Sequence, residues 1–184
     1  MPGAWLALVV LVLFFGWFRA RPQPRVAPAD PVATMDGMEA LRTGTQMGSR
    51  GEFERSLPYL RRALAANPGS WEARFNLASS LANTALQARR HLGHDEPVTR
   101  SSADRLALLR ESERELESAF AQARTPHEAA LAMWTRGNLY RSWGLPADAL
   151  ACARRALEIE PAWPSATQLV ATIEAEFARA DRAP

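Results

Sequence analysis

An all-α fold class follows from three observations. Of the 184 residues, 47% are hydrophobic, Ala, Leu, Arg and Glu dominate, and strand-type alternation of Val, Ile and Thr is scarce. From Gly37 onward, apolar residues recur at helical spacing between Gly and Pro punctuation. One helix end occurs twice, as LRRALAANP at residues 60–68 and ARRALEIEP at residues 153–161, so the chain is internally repeated.

Length leaves room for one domain plus an anchor. All 22 basic residues are Arg, which reads as genome composition, and 20 acidic residues interspersed among them bring the net charge to +2. The pairs Arg61–Arg62, Arg89–Arg90 and Arg154–Arg155 are separated by acids and read as solvated helix faces. Nucleic-acid binders cluster basic charge on one face or tail, so nucleic acid is not an expected partner. The single cysteine, Cys152, excludes an intrachain disulfide and any multi-Cys metal site. It lies in the Ala-rich stretch ALACARRAL, where a small buried structural thiol is expected.

Residues 1–18 carry an uncharged apolar run. Trp5, Leu6, Leu8, Val9, Leu11, Leu13, Phe14, Trp17 and Phe18 form a transmembrane helix with aromatic residues at both ends. The run is short against the ~17–25 residues of a usual span, and the arms of Arg19 and Arg21 extend it. A cleaved signal peptide is the competitor; no basic residue precedes the run and no small-x-small site follows closely, which favours an uncleaved anchor. Arg19, Arg21 and Arg25 flank its C-terminal side. The positive-inside rule therefore places a single-pass chain in the inner (cytoplasmic) membrane with its large part in the cytoplasm, the periplasm being the alternative. Residues 19–36, with Pro22, Pro24, Pro28 and Pro31, form a Pro-rich extended linker.

The next elements are helix–turn–helix units, best kept in residues 136–163, RGNLYRSWGLPADALACARRALEIEPAW. Gly137, Gly144, Ala149 and Ala156 put small residues where helices approach, Tyr140 is expected to fill the space between the two helices, and Pro161 stops the second one. The stretch resembles a tetratricopeptide (TPR) repeat, W-x₂-L-G-x₂-Y…A-x₃-F…P over ~34 residues. Such a unit cannot bury its apolar face alone, so copies stack beside it.

The resemblance implies a TPR-like α-solenoid over residues 37–180. Its three repeats cover about 37–69, 70–126 and 130–163, and a capping helix occupies 165–180. In the first, Ala40, Gly44 and Met47 match the first helix, Gly51 and Phe53 mark the turn, and Ser56, Leu60, Ala63 and Pro68 carry the second helix. In the second, Ser70 is an N-cap and Ser101-x-x-Asp104 resembles a capping box. Between them the pattern carries about two dozen extra residues, so the hairpin around residues 86–110 is elongated. It is either a contact arm or a plain elongation. In the cap, Leu169, Val170, Ile173 and Phe177 share one face.

Candidate sites are few. His91, His94, Asp95 and Glu96 are the single cluster of metal-type ligands, but Gly93 separates the histidines, so an exposed hairpin tip is expected and no metal or cofactor. No phosphate loop, Gly-x-Ser-x-Gly or nucleophile–His–Asp pattern occurs, which argues against an enzyme. The resemblance implies a concave groove lined by the first helix of each repeat. Projected onto this chain, that is Met38, Leu41, Thr45, Phe75, Asn76, Ser79, Asn83, Leu131, Trp134, Asn138 and Arg141. Some of these become core if the register shifts by a residue or two. Chaperone-type TPR domains grip a terminal carboxylate with Lys, Arg and Asn. Here Asn76 matches, but Leu41, Thr45, Leu131 and Thr135 stand where such residues are needed. An amphipathic helix or extended segment suits the groove better. The expectation is a scaffold whose partners are proteins, integral membrane subunits above all, with lipid around the N-terminal helix. It would be an accessory or stabilising subunit of a membrane complex or, alternatively, a transient assembly, secretion or pilus-biogenesis factor.

Overall fold

The computed structural model describes residues 31–87 and 101–180. The chain divides into two units, residues 1–34 and 35–184. The described part of the first is one helical turn, Pro31–Thr34. Among the described residues no helix is long and apolar enough to cross a membrane; the segment read as an anchor, residues 1–18, lies outside them, as does most of the linker.

The second unit is all-helical among its described residues. Its helices are α1 (Gly37–Ser49), α2 (Phe53–Ala66), α3 (Trp71–Gln87), α4 (Ser102–Ala121), α5 (Pro126–Trp143), α6 (Pro146–Ile159) and α7 (Pro164–Ala180). Local chemistry explains the boundaries. The Asp36 carboxylate accepts from the backbone of Met38 at 2.9 Å and starts α1. Ser70 caps α3 by accepting from the Ala73 N–H at 3.2 Å. The Ser101 hydroxyl accepts from the Asp104 N–H at 3.1 Å and donates to its carboxylate at 2.7 Å. Asp104, one methylene shorter than Glu, meets the cap's side chain where a capping box would use its backbone.

The third repeat starts earlier than its spacing predicts. Pro126, expected to end the second repeat, opens α5 instead, and α4 has already stopped at Ala121. Proline suits the first helical position because its missing N–H would have no partner there. Thr125 caps the helix by accepting from the Glu128 N–H at 3.1 Å, and Glu128 accepts from the Arg124 N–H at 2.6 Å. The Thr-x-x-Glu signature was there to be read. At the other end of α5, Gly144 adopts φ 78°, and the Gly144 and Leu145 N–H groups bond back to Arg141 and Tyr140. Left-handed backbone is cheap for glycine and strained for side chains with a Cβ.

Consecutive helices pack against one another, and the odd-numbered helices also touch in series, α1 to α3 to α5 to α7. Core follows the same order. Leu41, Leu57, Leu60, Leu77 and Leu81 fill the first repeat and its junction with the second. Ala78, Leu116 and Leu139 join the second to the third, and Ala149, Ala153, Leu169 and Ile173 join the third to α7. Leu60, Leu81, Leu116 and Ile173 are fully buried, each stabilising the fold by about 1.5–3 kcal/mol. Close approach needs small residues: a Cβ on Gly137 would lie 3.2 Å from the Ala149 carbonyl of α6. Cys152 is buried beside Ala153, and burial pushes its thiol pKa up, as the Ala-rich setting implies.

Tyr140 was expected to fill the space between the two helices of its repeat. Its ring does pack against the α6–α7 cluster, but its hydroxyl reaches back to α4 and donates to Glu113. Arg136 donates to the same hydroxyl at 3.1 Å and to Glu113 at 3.3 Å. On the other side of α4, Arg61 of α2 forks onto Glu111 with two 2.9 Å contacts, and Arg74 of α3 meets Glu115 at 2.6 Å. Glu111, Glu113 and Glu115 thus tie α4 to three other helices.

Candidate partner-binding groove

The odd-numbered helices line one side of the repeats, and the nominated residues distribute unevenly along them. Met38 is 69% exposed at the rim of a cavity of about 200 Å³ between α1, α2 and α3. Leu41 reaches the same cavity but is a core residue, closed in by Leu57, Leu60 and Leu77. Asn76 of α3 donates to Thr45 of α1 at 3.0 Å, a bridge between two first helices. Asn83 donates to the Ser79 carbonyl of its own helix at 2.8 Å. Phe75 packs against Ala78, Ala82, Leu116 and Leu139 and stacks on Trp71 with centroids 4.9 Å apart, so much of its ring belongs to the core. Leu131 is half-buried.

Three nominated residues do come together. Trp134, Asn138 and Arg141 rise at successive turns of α5 and wall a cavity of about 230 Å³ shared with α7. Trp134 is held on both sides: its indole N–H donates to the Ser165 carbonyl at 3.2 Å, and its ring meets Trp163 at 5.6 Å. The Asn138 amide donates to the Trp134 carbonyl at 3.1 Å. Arg141 forks onto Glu176 of α7 at 2.5 and 3.1 Å. That pairing raises the Arg141 pKa and holds the Glu176 carboxyl below its ordinary range. Arg141 is therefore a neutralised wall of the cavity rather than a free cation.

The opposite wall was missed from sequence. Ser165, Gln168, Leu169 and Thr172 of α7 face Trp134, Asn138 and Arg141, although α7 was expected to serve as a cap. The 165–168–172 polar spacing places those side chains on one helical face, and that was the available signal. Chemically the site offers amides, hydroxyls and an indole edge, a set that suits backbone amides of a bound segment. The candidate metal cluster at His91, His94, Asp95 and Glu96 lies outside the described residues; among the described ones no three His, Cys, Asp or Glu gather as ligands.

Solved structures share this arrangement. The NMR structure of the first TPR domain of the human RPAP3 protein superposes with a TM-score of 0.57 and 18% identity, over 80% of this chain and 97% of that one. The first TPR of Spaghetti (RPAP3), bound to the HSP90 peptide SRMEEVD, gives 0.54 and 20% over 78% and 97%. No protein-family model matches the chain, and no curated protein matches it in sequence. The likeness is one of fold: three helix–turn–helix repeats and a closing helix in the manner of TPR domains.

Proposed function

We infer that the chain is a membrane-anchored protein–protein interaction scaffold, an accessory or stabilising subunit of an integral membrane complex such as a respiratory or photosynthetic one. The observation that carries the interaction role is the α5–α7 cavity, where Trp134, Asn138, Gln168 and Thr172 line a concave polar cleft on a TPR fold. A solved neighbour of the same fold holds a short peptide. The ligand class differs here. Asn76 is bonded to Thr45, and Arg141 is neutralised by Glu176, so neither stands ready for a terminal carboxylate. An extended or amphipathic segment, with its backbone against Asn138 and Gln168 and an apolar side chain on Trp134, fits what remains. The reading is non-enzymatic and needs no cofactor or metal.

Support for the membrane lies in the sequence: the uncharged run ending at Trp17 and Phe18, then arginines and a proline-rich spacer. Arg19, Arg21 and Arg25 favour a cytoplasmic repeat domain, and a topology reporter fused to the C-terminus distinguishes this from the periplasmic arrangement. The deciding experiment is affinity purification from solubilised membranes. A permanent subunit brings integral membrane proteins through detergent in fixed stoichiometry. Substoichiometric recovery would point to a transient assembly factor, and recovery with no membrane protein overturns the reading. Trp134→Ala should release groove-bound partners; retention of every partner would sink the cleft assignment.

A further inference from the structure

The two helices of the second repeat are further apart in sequence than those of the other two. Its helices run to Gln87 and start again at Ser102, whereas residues 50–52 and 144–145 suffice to join the helices of the other two repeats. The last turn of α3, the first turns of α4 and the α5–α6 turn line an open cavity of about 450 Å³. That volume falls in the ~300–1,000 Å³ range of small-ligand sites. Its apolar walls include Leu86, Leu106, Leu109, Trp143 and Leu145. Four large apolar side chains are exposed among the described residues, and two of them, Leu106 and Leu145 at 43% each, line this one space. Apolar surface gathered in a concavity marks a binding site more often than the same surface scattered.

Charge indicates what kind of occupant fits. Arg105 is the one charged side chain among the described walls, and it meets no acidic partner among the described residues. Ser102 beside it opens a 20-residue helix, whose amino-terminal end is electropositive. Asp104, the acid in that first turn, is not a wall and is engaged by the Ser101 hydroxyl. An apolar cavity with one cation in its wall complements an apolar group with a negative end. A peptide helix would need a long groove, and this cavity is confined to the ends of two neighbouring hairpins. We propose that it binds a single aliphatic chain ending in a carboxylate, the tail against Leu106, Leu109 and Trp143 and the carboxylate at Arg105. The site is separate from the α5–α7 cleft and does not depend on its function.

The test uses the full chain in nanodiscs of zwitterionic lipid and a diazirine-bearing dodecanoic acid, with cross-linked peptides mapped by mass spectrometry. Labelling is expected at residues 85–86, 102–109 and 142–145. Dodecanoate should compete it away, and dodecyltrimethylammonium should not. Arg105→Gln should raise the concentration needed by about fivefold, the scale of one partly exposed ion pair. Leu106→Gln, at an exposed position that folding tolerates, should weaken labelling independently. Equal competition by the cation, or an unchanged Arg105→Gln variant of native circular dichroism, overturns the charge assignment. Labelling confined to residues 1–18 would mean lipid partition only. Unlabelled walls would mean that the chain's own residues 88–100 or a neighbouring copy fill the space; either result overturns the proposal.

Discussion

Replacing Tyr140 by Phe isolates one oxygen atom that links two repeats. The ring stays in its contacts with Ala149, Ala153, Leu169 and Ile173, so no cavity is opened. What is lost is a hydrogen bond to the Glu113 carboxylate and one from Arg136. Hydrogen bonds to charged groups contribute about 1.5–3 kcal/mol when the abandoned partner is sealed from water. Here Glu113 keeps Arg136 at 3.3 Å and is 30% exposed, so water replaces much of the loss. The expected cost is therefore about 1 kcal/mol, or roughly 2–4 °C in Tm for a domain of this size. Urea unfolding at pH 7 should show a lowered midpoint at unchanged slope. Burial and the Glu113 bond push the Tyr140 phenol up to about 12 from its ordinary 10. A raised phenol pKa favours the neutral form in the folded state. The contribution is thus fully present below pH ~10 and fades as pH rises towards 12, so the gap between wild type and variant should narrow over that window. In a Tyr59→Phe background, the remaining phenol should titrate near 12 by ultraviolet difference spectroscopy. A variant as stable as wild type, or a phenol titrating at its ordinary value, would refute the inter-repeat bond.

Other substitutions probe other parts of the fold. Gly48→Ala meets only ordinary contact, 3.5 Å from the Ser80 hydroxyl, and should stabilise by about 0.5–1 kcal/mol through a stiffer unfolded chain. Gly137→Ala drives a methyl against α6 backbone and should destabilise by about 1–3 kcal/mol despite its better helix propensity; thermal melts compare the two. Thr125→Ala removes the α5 cap and should cost about 1 kcal/mol, with hydrogen exchange faster in the first turn of α5 than elsewhere. Cys152, 7% exposed and with its thiol pKa raised, should react slowly with a disulfide reagent at pH 8 and rapidly once urea unfolds the domain.

Fold legibility came from steric landmarks. Gly137, Ala149, Ala153 and Ala156 repeat because helices can approach only where side chains are small, and that constraint acts on each residue alone. The α5 start was obscured because Pro126 serves a helix beginning as well as it serves an ending, and the choice is made by Thr125 and Glu128 together. The groove was legible in part for a similar reason. Trp134, Asn138 and Arg141 lie on one face of one helix, which spacing reveals. Whether Leu41 and Phe75 face solvent or core depends on the neighbouring helices' rotation, which no single-helix pattern contains. The pairing of Arg141 with Glu176 crosses 35 residues of chain, and its partner is one of many exposed glutamates. Ionic partners across repeats carry no periodic signature.

Three of the glutamates of α4, Glu111, Glu113 and Glu115, bear on how the domain comes apart. Repeat arrays behave as chains of nearest-neighbour couplings and can lose an end while the remainder stands. Here Glu111 pairs with the preceding repeat, Glu115 with the other helix of its own repeat and Glu113 with the following one, so ion pairs toward both neighbours meet on a single helix. A break on either side of α4 severs ion pairs along with apolar contacts. Cutting the chain into single repeats should therefore give fragments that do not fold, and the described domain should melt in one transition. Partial forces applied at one end by a bound partner would be carried to the other rather than dissipated in a frayed repeat.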